Sequence, residues 1–255
     1  MTDLSSPALN RFAGTVRRAL DDYQMILEGD RVAVGISGGK DSLLLLTVLR
    51  QLQRYYPARF DLEAVTIDLG FDGMDYAPVR RFCEELGVPY TCVPTDIQEI
   101  VFDARREPNP CSLCAKMRRG ALAGAMRERG LNKLALGHHA DDAVETFFLS
   151  LLMEGRLSCF EPLTRLDGSG ITLIRPLIYS GEKGIASLAR QLDLPVMENS
   201  CPQDKSSKRV EVKRLLAGLS REYPDLKSKV LGSMQRLPLP GWKIPSENKT
   251  KETSQ

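Results

Sequence analysis

Short apolar runs alternate with longer stretches of helical periodicity along most of the chain. The run at 31–37 carries valine and isoleucine and leads into glycines, which predicts a buried strand. The segment at 43–52 continues from it and predicts a helix. The same order recurs after further strands, which we predict at 60–68, 90–95, 133–139 and 171–177. Strands that alternate with helices indicate an α/β fold, with a parallel sheet covered by helices on both faces.

The two ends of the chain depart from this alternation. Residues 1–29 predict an amphipathic N-terminal helix, and 30–200 predict the α/β body. Residues 201–240 contain two further helical segments, which predict a small C-terminal helical extension. No apolar residue follows Pro245, so we predict that 241–255 form a disordered tail.

Composition narrows the class of protein. The chain has 255 residues, of which 42% are hydrophobic, enough for one generous domain with a buried core. Its net charge of +2 is too mild to indicate a nucleic-acid partner without local basic patches. No apolar run approaches the ~20 residues of a membrane span, and the N-terminus lacks the apolar stretch of a signal peptide. We therefore predict a soluble, cytoplasmic protein with no membrane partner.

The stretch "GISGGKDSLL" has the composition of a phosphate-binding loop but not the spacing of a Walker motif. The predicted strand ends at Ser37, and the glycine pair Gly38 and Gly39 permits a tight turn and close approach to a ligand. A helix beginning near Asp41 would direct its unpaired N–H groups at an anion, beside the cation of Lys40. A plain strand-to-helix turn is the alternative, and the intact Ser-Gly-Gly-Lys-Asp-Ser sequence favours a pyrophosphate site.

The segment "SGGKDS" resembles the PP-loop signature of the adenine nucleotide alpha hydrolase-like superfamily, whose members cleave ATP between the α- and β-phosphates. The resemblance implies an open, Rossmann-like parallel sheet in which the first and fourth strands are neighbours, so the loops after them meet at one crevice. It also implies a site for ATP and Mg²⁺. The residues that it assigns to this site are Ser37, Gly38, Gly39, Lys40, Asp41, Ser42, Asp68, Gly137, His138 and Asp142.

The segment "GHHADD" leaves two questions open. Asp141 and Asp142 at a helix start could be caps that favour the helix dipole, or oxygen ligands of Mg²⁺ beside bound phosphates. His138 and His139 are the only histidines in the chain. One is predicted to belong to the nucleotide loop and the other to be a satisfied structural group, and the sequence does not distinguish them.

Six cysteines in a chain of this size do not indicate a disulfide scaffold. Cys111 and Cys114 form a short-spaced pair, which suits a redox dithiol, half of a zinc site or part of an iron–sulfur site. Cys201, in a separate predicted loop, is the best candidate for a third ligand. Cys83 and Cys92 are predicted to be core thiols.

Several segments together resemble the tRNA 2-thiocytidine synthetase family. They are "RRALDDYQMILEGDRVAVGISGGKDSLLLL", "CSLCAKMRRGAL", "LALGHHADDAVETFFLSLL", "ITLIRPLIY" and the late Cys201, and the resemblance covers about 17–237. It implies a [4Fe–4S] cluster with Cys111, Cys114 and Cys201 as its metal ligands, and it makes these cysteines and Lys40 the catalytic residues. It also implies ATP-dependent replacement of the C2 oxygen of a tRNA cytidine by sulfur, with AMP and pyrophosphate as products.

Two basic runs flank the predicted cluster site. Charge runs are usually solvated faces, but two of them beside one inferred site favour phosphate contacts with tRNA. The first run contributes Lys116, Arg118, Arg119, Arg127 and Arg129, and the second contributes Lys205, Lys208, Arg209, Lys213 and Arg214.

Three alternatives to cytidine thiolation stay open on the sequence: thiolation of another tRNA pyrimidine, a PP-loop tRNA ligase of the lysidine type, and a non-catalytic nucleotide-binding module with structural zinc. The cysteine trio disfavours the ligase, because that chemistry has no use for it. The predicted partners are tRNA and a sulfur donor, either sulfur derived from a cysteine desulfurase or inorganic sulfide. The sequence leaves the oligomeric state open, a homodimer included.

Overall fold

The computed structural model describes residues 4–104, 110–166, 168–197, 208–237 and 242. Within this part of the chain, one sheet contains the strands Asp30–Gly35 (β1), Phe60–Asp68 (β2), Tyr90–Pro94 (β3), Lys133–Ala135 (β4), Leu163–Leu166 (β5) and Ile171–Ile174 (β6). The strand order is β3-β2-β1-β4-β6-β5. All neighbours pair in parallel except β5, which runs antiparallel to β6 at the edge of the sheet.

Helices connect the strands and cover the sheet. In the described residues they are Pro7–Asp22 (α1), Lys40–Leu52 (α2), Ala77–Leu86 (α3), Pro110–Glu128 (α4), Ala140–Glu154 (α5), Glu182–Gln191 (α6), Lys208–Glu222 (α7) and Leu226–Arg236 (α8), with a π-helical turn at Glu99–Ala104. Across those same stretches, no helix has the length and apolar character needed to cross a membrane.

The core lies on both faces of the sheet, because neighbouring residues of β1 point to opposite sides. Val32 and Val34 join a large cluster with side chains of α1, α2, α3 and α6, whereas Ala33 joins a second cluster with side chains of α4. The leucines at 43–46 of α2 are fully buried in the large cluster. A helix that is apolar on several sides is stable only when it is buried in the core. The helix that begins at the predicted phosphate loop is therefore fixed in the core.

This architecture confirms the predicted fold class, an open and largely parallel α/β sheet with helices on both faces. β1 pairs with β4, which confirms that the first and fourth strands are neighbours. The chain leaves β1 for β2 on one side and returns at β4 on the other. The order of the strands reverses at this point, where open α/β sheets bind ligands beyond the carboxyl ends of their strands.

Three elements differ from the predictions. β4 ends at Ala135 rather than at 139, because the chain then turns toward the start of α2. After β3, where the alternation of strands and helices predicts an α-helix, the described chain instead contains the π-helical turn at Glu99–Ala104. β5 was not predicted, and it forms an antiparallel hairpin with β6 across a turn in which Gly168 and Gly170 have positive φ.

The predicted C-terminal helices pack on α5. Val144 of α5 forms a small cluster with Val212 and Leu216 of α7. The domain boundaries stay predictions. Trp242 falls inside the range predicted to be a tail, yet it is fully buried and its Nε1–H donates to the carbonyl oxygen of Phe160 (3.1 Å). This residue therefore belongs to the core.

Candidate active site

The residues after β1 form a loop shaped by its own hydrogen bonds. The Ser37 N–H donates to Ser42 Oγ (3.2 Å), and the Gly39 N–H donates to Ser37 Oγ (3.3 Å). Ser42 Oγ in turn donates to the carbonyl oxygen of Gly39 (2.9 Å). No described side chain caps α2 at Gly39. The N–H groups of its first turn are therefore available to an anion, which the positive end of the helix favours.

Two glycines allow other segments to approach the phosphate loop and the start of α2 closely. Gly38 has a φ of +81°, which strains other residues, and a Cβ there would lie 2.9 Å from Met197 Sδ. A Cβ on Gly137 would lie 3.0 Å from the carbonyl carbon of Asp41, in the first turn of α2. The loop after β4 thus touches the helix that begins at the phosphate loop, as expected for two loops that share a crevice.

Lys40 lies between two carboxylates. Its Nζ is 3.1 Å from Asp41 Oδ1 and 3.6 Å from Glu182 Oε1. The Lys40 ammonium group donates to Asp41 Oδ2 (3.2 Å), whereas Oδ1 of the same carboxylate is enclosed and accepts no hydrogen bond from a described residue. Glu182, in the first turn of α6, also pairs with Lys213 of α7 (2.8 Å). Burial alone would raise the pKa of Glu182, but Lys213 and Lys40 outweigh burial and hold that pKa below its ordinary value.

The two aspartates of "GHHADD" cap different helices. Asp141 accepts the N–H of Glu182 (2.6 Å) and pairs with Lys227, so it ties α5 to α6 and α8. Burial alone would raise the pKa of Asp141, but Lys227 and the Glu182 N–H lower it. Asp142 accepts the N–H of His139 (3.0 Å), while His139 Nδ1 accepts the N–H of Asp142, a reciprocal cap at the start of α5. Asp142 also lines the cavity described below.

The surroundings of the two histidines distinguish them. His139 is buried and belongs to the helix cap. The His138 ring lies 5.2 Å from the Phe160 ring, and its Nδ1 is 3.3 Å from Arg175 Nε. Burial, and then the positive charge of Arg175, lowers the pKa of His138 to about 4, so its ring is neutral at pH 7. His138 lines the cavity, and it is the histidine that faces the predicted nucleotide site.

A cavity of about 650 Å³ connects these loops with helix α4. Apolar side chains of the sheet, including Val65, Leu134 and Leu173, line one part of it. Its polar lining consists of Ser37, Asp41, Ser42, Arg118, Arg119, His138, Asp142, Thr164 and Arg175. A concave site with an apolar surface and a few convergent polar groups suits a nucleotide.

Helix α4 places the cysteine pair near this cavity, although neither cysteine is among the described residues that line it. Cys111 and Cys114 lie one helical turn apart near the start of α4, and Ala115, directly after the second cysteine, lines the cavity. Cys111 is exposed, and Cys114 is half-buried against the second core cluster. Cys201 lies outside the described residues. Among the residues that are described, no three His, Cys, Asp or Glu side chains form a metal site, so the three-cysteine ligand set stays a prediction.

The remaining cysteines lie in protected positions. Cys83 is fully buried and Cys159 is half-buried, and burial raises the pKa of each thiol to about 12. Cys92 is only half-buried, because β3 is at the edge of the sheet, and burial also raises its pKa. Thiols held in the protonated form are poor nucleophiles and poor metal ligands.

Asp68 lies at the end of β2, beside the cavity. Its Oδ1 accepts the N–H of Gly70 (3.0 Å). Burial, and then the charge of Asp68, raises the pKa of Tyr76 to about 12, and the positive charge of Arg118 opposes this rise. The cavity-lining residues in the described chain do not include Asp68. Its role in nucleotide binding stays a prediction.

Two residues of the site were missed by the sequence reasoning. Arg175 follows β6 directly, and it is buried and lines the cavity. Its signal in the sequence is a charged residue at the end of an apolar strand. Glu182 begins an ordinary helix, and its contact with Lys40 depends entirely on how the fold places α6 beside the phosphate loop.

A phosphate loop at the switch point of a parallel sheet, open to a cavity with polar and apolar walls, defines a PP-loop nucleotide-binding protein. The model of the PP-loop domain family matches residues 11–218. The curated tRNA-cytidine(32) 2-sulfurtransferase of Pelobacter propionicus is 41% identical over 234 residues, which span 91% of this chain and 87% of that protein. Its counterpart in Geobacter sulfurreducens is 38% identical over 227 residues, 88% of each protein. The chain belongs to the tRNA-cytidine(32) 2-sulfurtransferase family, which confirms the resemblance found in its motifs.

A solved structure shares this fold. The U34-tRNA thiolase NcsA from Methanococcus maripaludis, with its [4Fe–4S] cluster, superposes with a TM-score of 0.76 at 27% sequence identity. The match covers 90% of this chain and 78% of that chain. It supports the assignment of the α/β sheet to the PP-loop class.

Proposed function

We propose that this protein is an ATP-dependent tRNA sulfurtransferase that replaces the C2 oxygen of a cytidine with sulfur. Position 32 of the tRNA is the target named for its relatives. One observation carries the proposal: residues of the phosphate loop and of the cysteine-bearing helix α4 line the same cavity. A base bound there would meet the activating group and the sulfur without leaving the site, which removes the entropic cost of a second encounter.

The first step activates C2. The C2 oxygen forms a bond to the α-phosphorus of ATP, the bond from that phosphorus to the bridging oxygen breaks, and pyrophosphate leaves. The N–H groups at the start of α2 and the ammonium of Lys40 stabilise the charge that grows on the pyrophosphate. Asp41 and Glu182 position Lys40 for this role.

The second step replaces the activated oxygen. A sulfur at the oxidation level of sulfide forms a bond to C2, the bond from C2 to oxygen breaks, and AMP leaves with that oxygen. The proton of hydrosulfide passes to solvent, and no net oxidation occurs. We propose inorganic sulfide as the sulfur source, or sulfur from a cysteine desulfurase together with a thiol reductant.

The donor set on α4 fits a cluster held by thiolates. Cys111 and Cys114 present two sulfur atoms near the positive end of a helix, which favours negative charge. Cys201 is the proposed third ligand. When bound, a [4Fe–4S] cluster with three protein ligands supplies an iron site for sulfur. The tRNA thiolase of known structure contains a [4Fe–4S] cluster.

The site also fits Mg²⁺ bound together with ATP. Asp41 and Asp142 both line the cavity beside the phosphate loop. Asp41 Oδ1 is enclosed there without a hydrogen bond from a described residue. Carboxylate oxygens beside phosphates are typical Mg²⁺ ligands, so these two aspartates would hold the ion and thereby reduce repulsion between the loop and the triphosphate.

tRNA is the proposed macromolecular partner, and the basic helices are its proposed contact surface. Lys116, Arg118 and Arg119 are exposed on α4, and Lys208 and Arg214 are exposed on α7. Such side chains bind phosphates in a salt-dependent manner. We place the reaction in the cytoplasm, the compartment of tRNA maturation. A homodimer stays a prediction.

Anaerobic purification, followed by metal analysis and a thiolation assay, tests this function. We expect about four irons per chain and 2-thiocytidine in digested tRNA only when ATP is supplied. A colourless, zinc-loaded protein that forms no AMP would favour the non-catalytic module instead. Modification of the base without sulfur would favour a ligase of the lysidine type.

A further inference from the structure

Arg175 is a buried cation in the wall of the cavity. The residue is 8% exposed, and its guanidinium carbon lies 4.6 Å from the centre of the Phe160 ring. Its Nε–H donates to His138 Nδ1 (3.3 Å), and its Nη1 donates to Thr164 Oγ1 (3.2 Å) and to the carbonyl oxygen of Glu161. These contacts fix the plane of the guanidinium group.

The hydrogen bonds of Arg175 to described residues all go to neutral acceptors. His138 is neutral at pH 7, and the other acceptors are a hydroxyl and a carbonyl oxygen. Nη2, which carries two further N–H donors, donates to none of the residues that the structure describes. A buried charge that lacks a hydrogen-bonded counterion is costly. An anion that enters the cavity would offset this cost and use the remaining donors.

A second arginine adds to the positive charge of this wall. Arg119 of α4 lines the same cavity. Burial lowers the pKa of Arg175 to about 10; Cys159 and Glu161 oppose this effect, and the charge of Arg119 adds to it. The two arginines are therefore close enough for their positive charges to repel each other. An anion bound by both side chains would offset this repulsion.

The strand order separates this wall from the phosphate loop. Arg175 follows β6, the phosphate loop follows β1, and β4 lies between the two strands. Two strand spacings amount to ~10 Å at the edge of the sheet. The same phosphate group cannot bind at both places, so a ligand at Arg175 is a different phosphate from the departing pyrophosphate.

We propose that Arg175, together with Arg119, forms a second anion site that binds the phosphate ester of a substrate nucleotide. The proposal rests on the proposed function, because that function supplies two such esters: the α-phosphate of ATP and the phosphodiester of the target nucleotide in tRNA. A planar guanidinium can bind two phosphate oxygens at once and so fix the orientation of the nucleotide in the cavity.

The test compares Arg175→Gln, Arg175→Lys and Arg119→Gln with the wild type and with Arg190→Gln. Arg190 is exposed on α6, which packs on the opposite face of the sheet from α4. The emission of Trp242, the single tryptophan, establishes that each variant is folded, because this residue is buried against Phe160. Calorimetry measures binding of Mg-ATP and of inorganic pyrophosphate. Filter binding measures the affinity for a tRNA transcript with cytidine at position 32, at several salt concentrations.

Two results support the site and identify the source of the phosphate. If the α-phosphate binds there, Arg175→Gln weakens Mg-ATP binding about 10- to 100-fold and leaves binding of pyrophosphate and tRNA unchanged. If the tRNA phosphodiester binds there, Mg-ATP binding is unchanged and tRNA binding weakens. The slope of log affinity for tRNA against log salt concentration then becomes shallower by about one unit. Arg175→Lys recovers part of the affinity in either case, because it keeps the charge but not the planar geometry.

Wild-type affinity for Mg-ATP and tRNA in the folded variants of both arginines would overturn the proposal. If Arg175→Gln does not fold, Arg175→Lys and the exposed Arg119→Gln decide the outcome. A wild-type protein that binds its ligands through Arg175 but forms no 2-thiocytidine would contradict the proposed function while leaving this site in place. The two failures are thus distinguishable.

Discussion

At the scale of single residues, the charge of Lys40 is balanced before any phosphate arrives. Asp41 and Glu182 hold its ammonium group at 3.1 and 3.6 Å, and all three side chains are partly exposed. A triphosphate carries more negative charge than either carboxylate, and its proposed binding site is the adjacent helix N-terminus. Lys40 can therefore exchange its carboxylate partners for the pyrophosphate as that group leaves.

Replacement of Lys40 by alanine should abolish thiolation and leave the iron content unchanged. The cation that stabilises the departing pyrophosphate is lost, whereas Cys111 and Cys114 lie on a different helix. We expect 2-thiocytidine formation to fall by at least about 100-fold, measured by mass spectrometry of digested tRNA. The matched control is Lys183→Ala, which removes an exposed lysine beside Glu182. Thiolation by Lys40→Ala at near the wild-type rate would remove the phosphate loop from the mechanism.

Acid should destabilise the fold through His138. Burial and Arg175 lower its pKa to about 4 in the folded protein, whereas an unfolded chain takes up a proton near the ordinary value of about 6.5. The stabilisation is therefore present above pH 6.5 and is lost as the pH falls toward 4, by up to about 3 kcal/mol. Urea unfolding at a series of pH values measures the free energy of unfolding. A His138→Gln variant should show a flatter decline than the wild type, and parallel curves for the two proteins would contradict the assignment.

At the scale of elements, helix α4 divides into two parts. Its C-terminal part buries Leu122, Ala125 and Met126 against the sheet. Its N-terminal part carries Cys111 and Cys114 and is largely exposed. The C-terminal part fixes α4 on the sheet, and the exposed N-terminal part leaves Cys111 accessible.

The elements that could be predicted are those whose own residue pattern decides their structure. β1 and α2 are apolar enough that burial is their only stable position. β5 was missed because it has only four residues, among them Thr164 and Arg165, and becomes a strand by pairing with β6. The contacts between Lys40 and Glu182 could not be predicted, because the order of the strands brings these distant segments together.

Helix α7 depends on a small apolar cluster, which offers a matched pair of substitutions. Leu216 is 1% exposed and packs with Val144 and Val212, whereas its neighbour Leu215 is 46% exposed. Leu216→Ala should lower the free energy of opening of α7 by about 2–4 kcal/mol, because it leaves a cavity. Leu215→Ala should change that free energy by less than about 0.5 kcal/mol. Amide hydrogen exchange of α7 measures both, and equal effects would contradict the packing described.

At the scale of the whole molecule, the C-terminal helices contact the candidate active site. Arg209 of α7 lies 3.4 Å from Asp142, and Lys213 lies 2.8 Å from Glu182. On the other side of the segment that contains Cys201, the Met197 N–H donates to the carbonyl oxygen of Gly38 (2.9 Å). The chain thus contacts the phosphate site both before and after Cys201, which favours the prediction that this cysteine takes part in it.

Loss of Cys201 should therefore be as damaging as loss of either cysteine on α4. A cluster held by three thiolates cannot lose one without exposing a second iron to solvent, so Cys201→Ser, Cys111→Ser and Cys114→Ser should each lack stable iron and thiolation activity. ATP binding should survive, since the phosphate loop does not depend on the cluster. Cys92→Ser, at the edge of the sheet, is the control and should retain both iron and activity. Full iron and full activity in Cys201→Ser would exclude the three-cysteine cluster.

The fate of the C2 oxygen tests most directly whether this chain activates cytidine with ATP and then exchanges oxygen for sulfur. A tRNA transcript labelled with ¹⁸O at C2 of the target cytidine is incubated anaerobically with the wild-type protein, Mg-ATP and sulfide, and the products are analysed by mass spectrometry. We predict about one AMP for each 2-thiocytidine, with the label in the phosphate of AMP, because adenylation joins the C2 oxygen to the α-phosphorus. AMP that contains no label while 2-thiocytidine accumulates would contradict this mechanism.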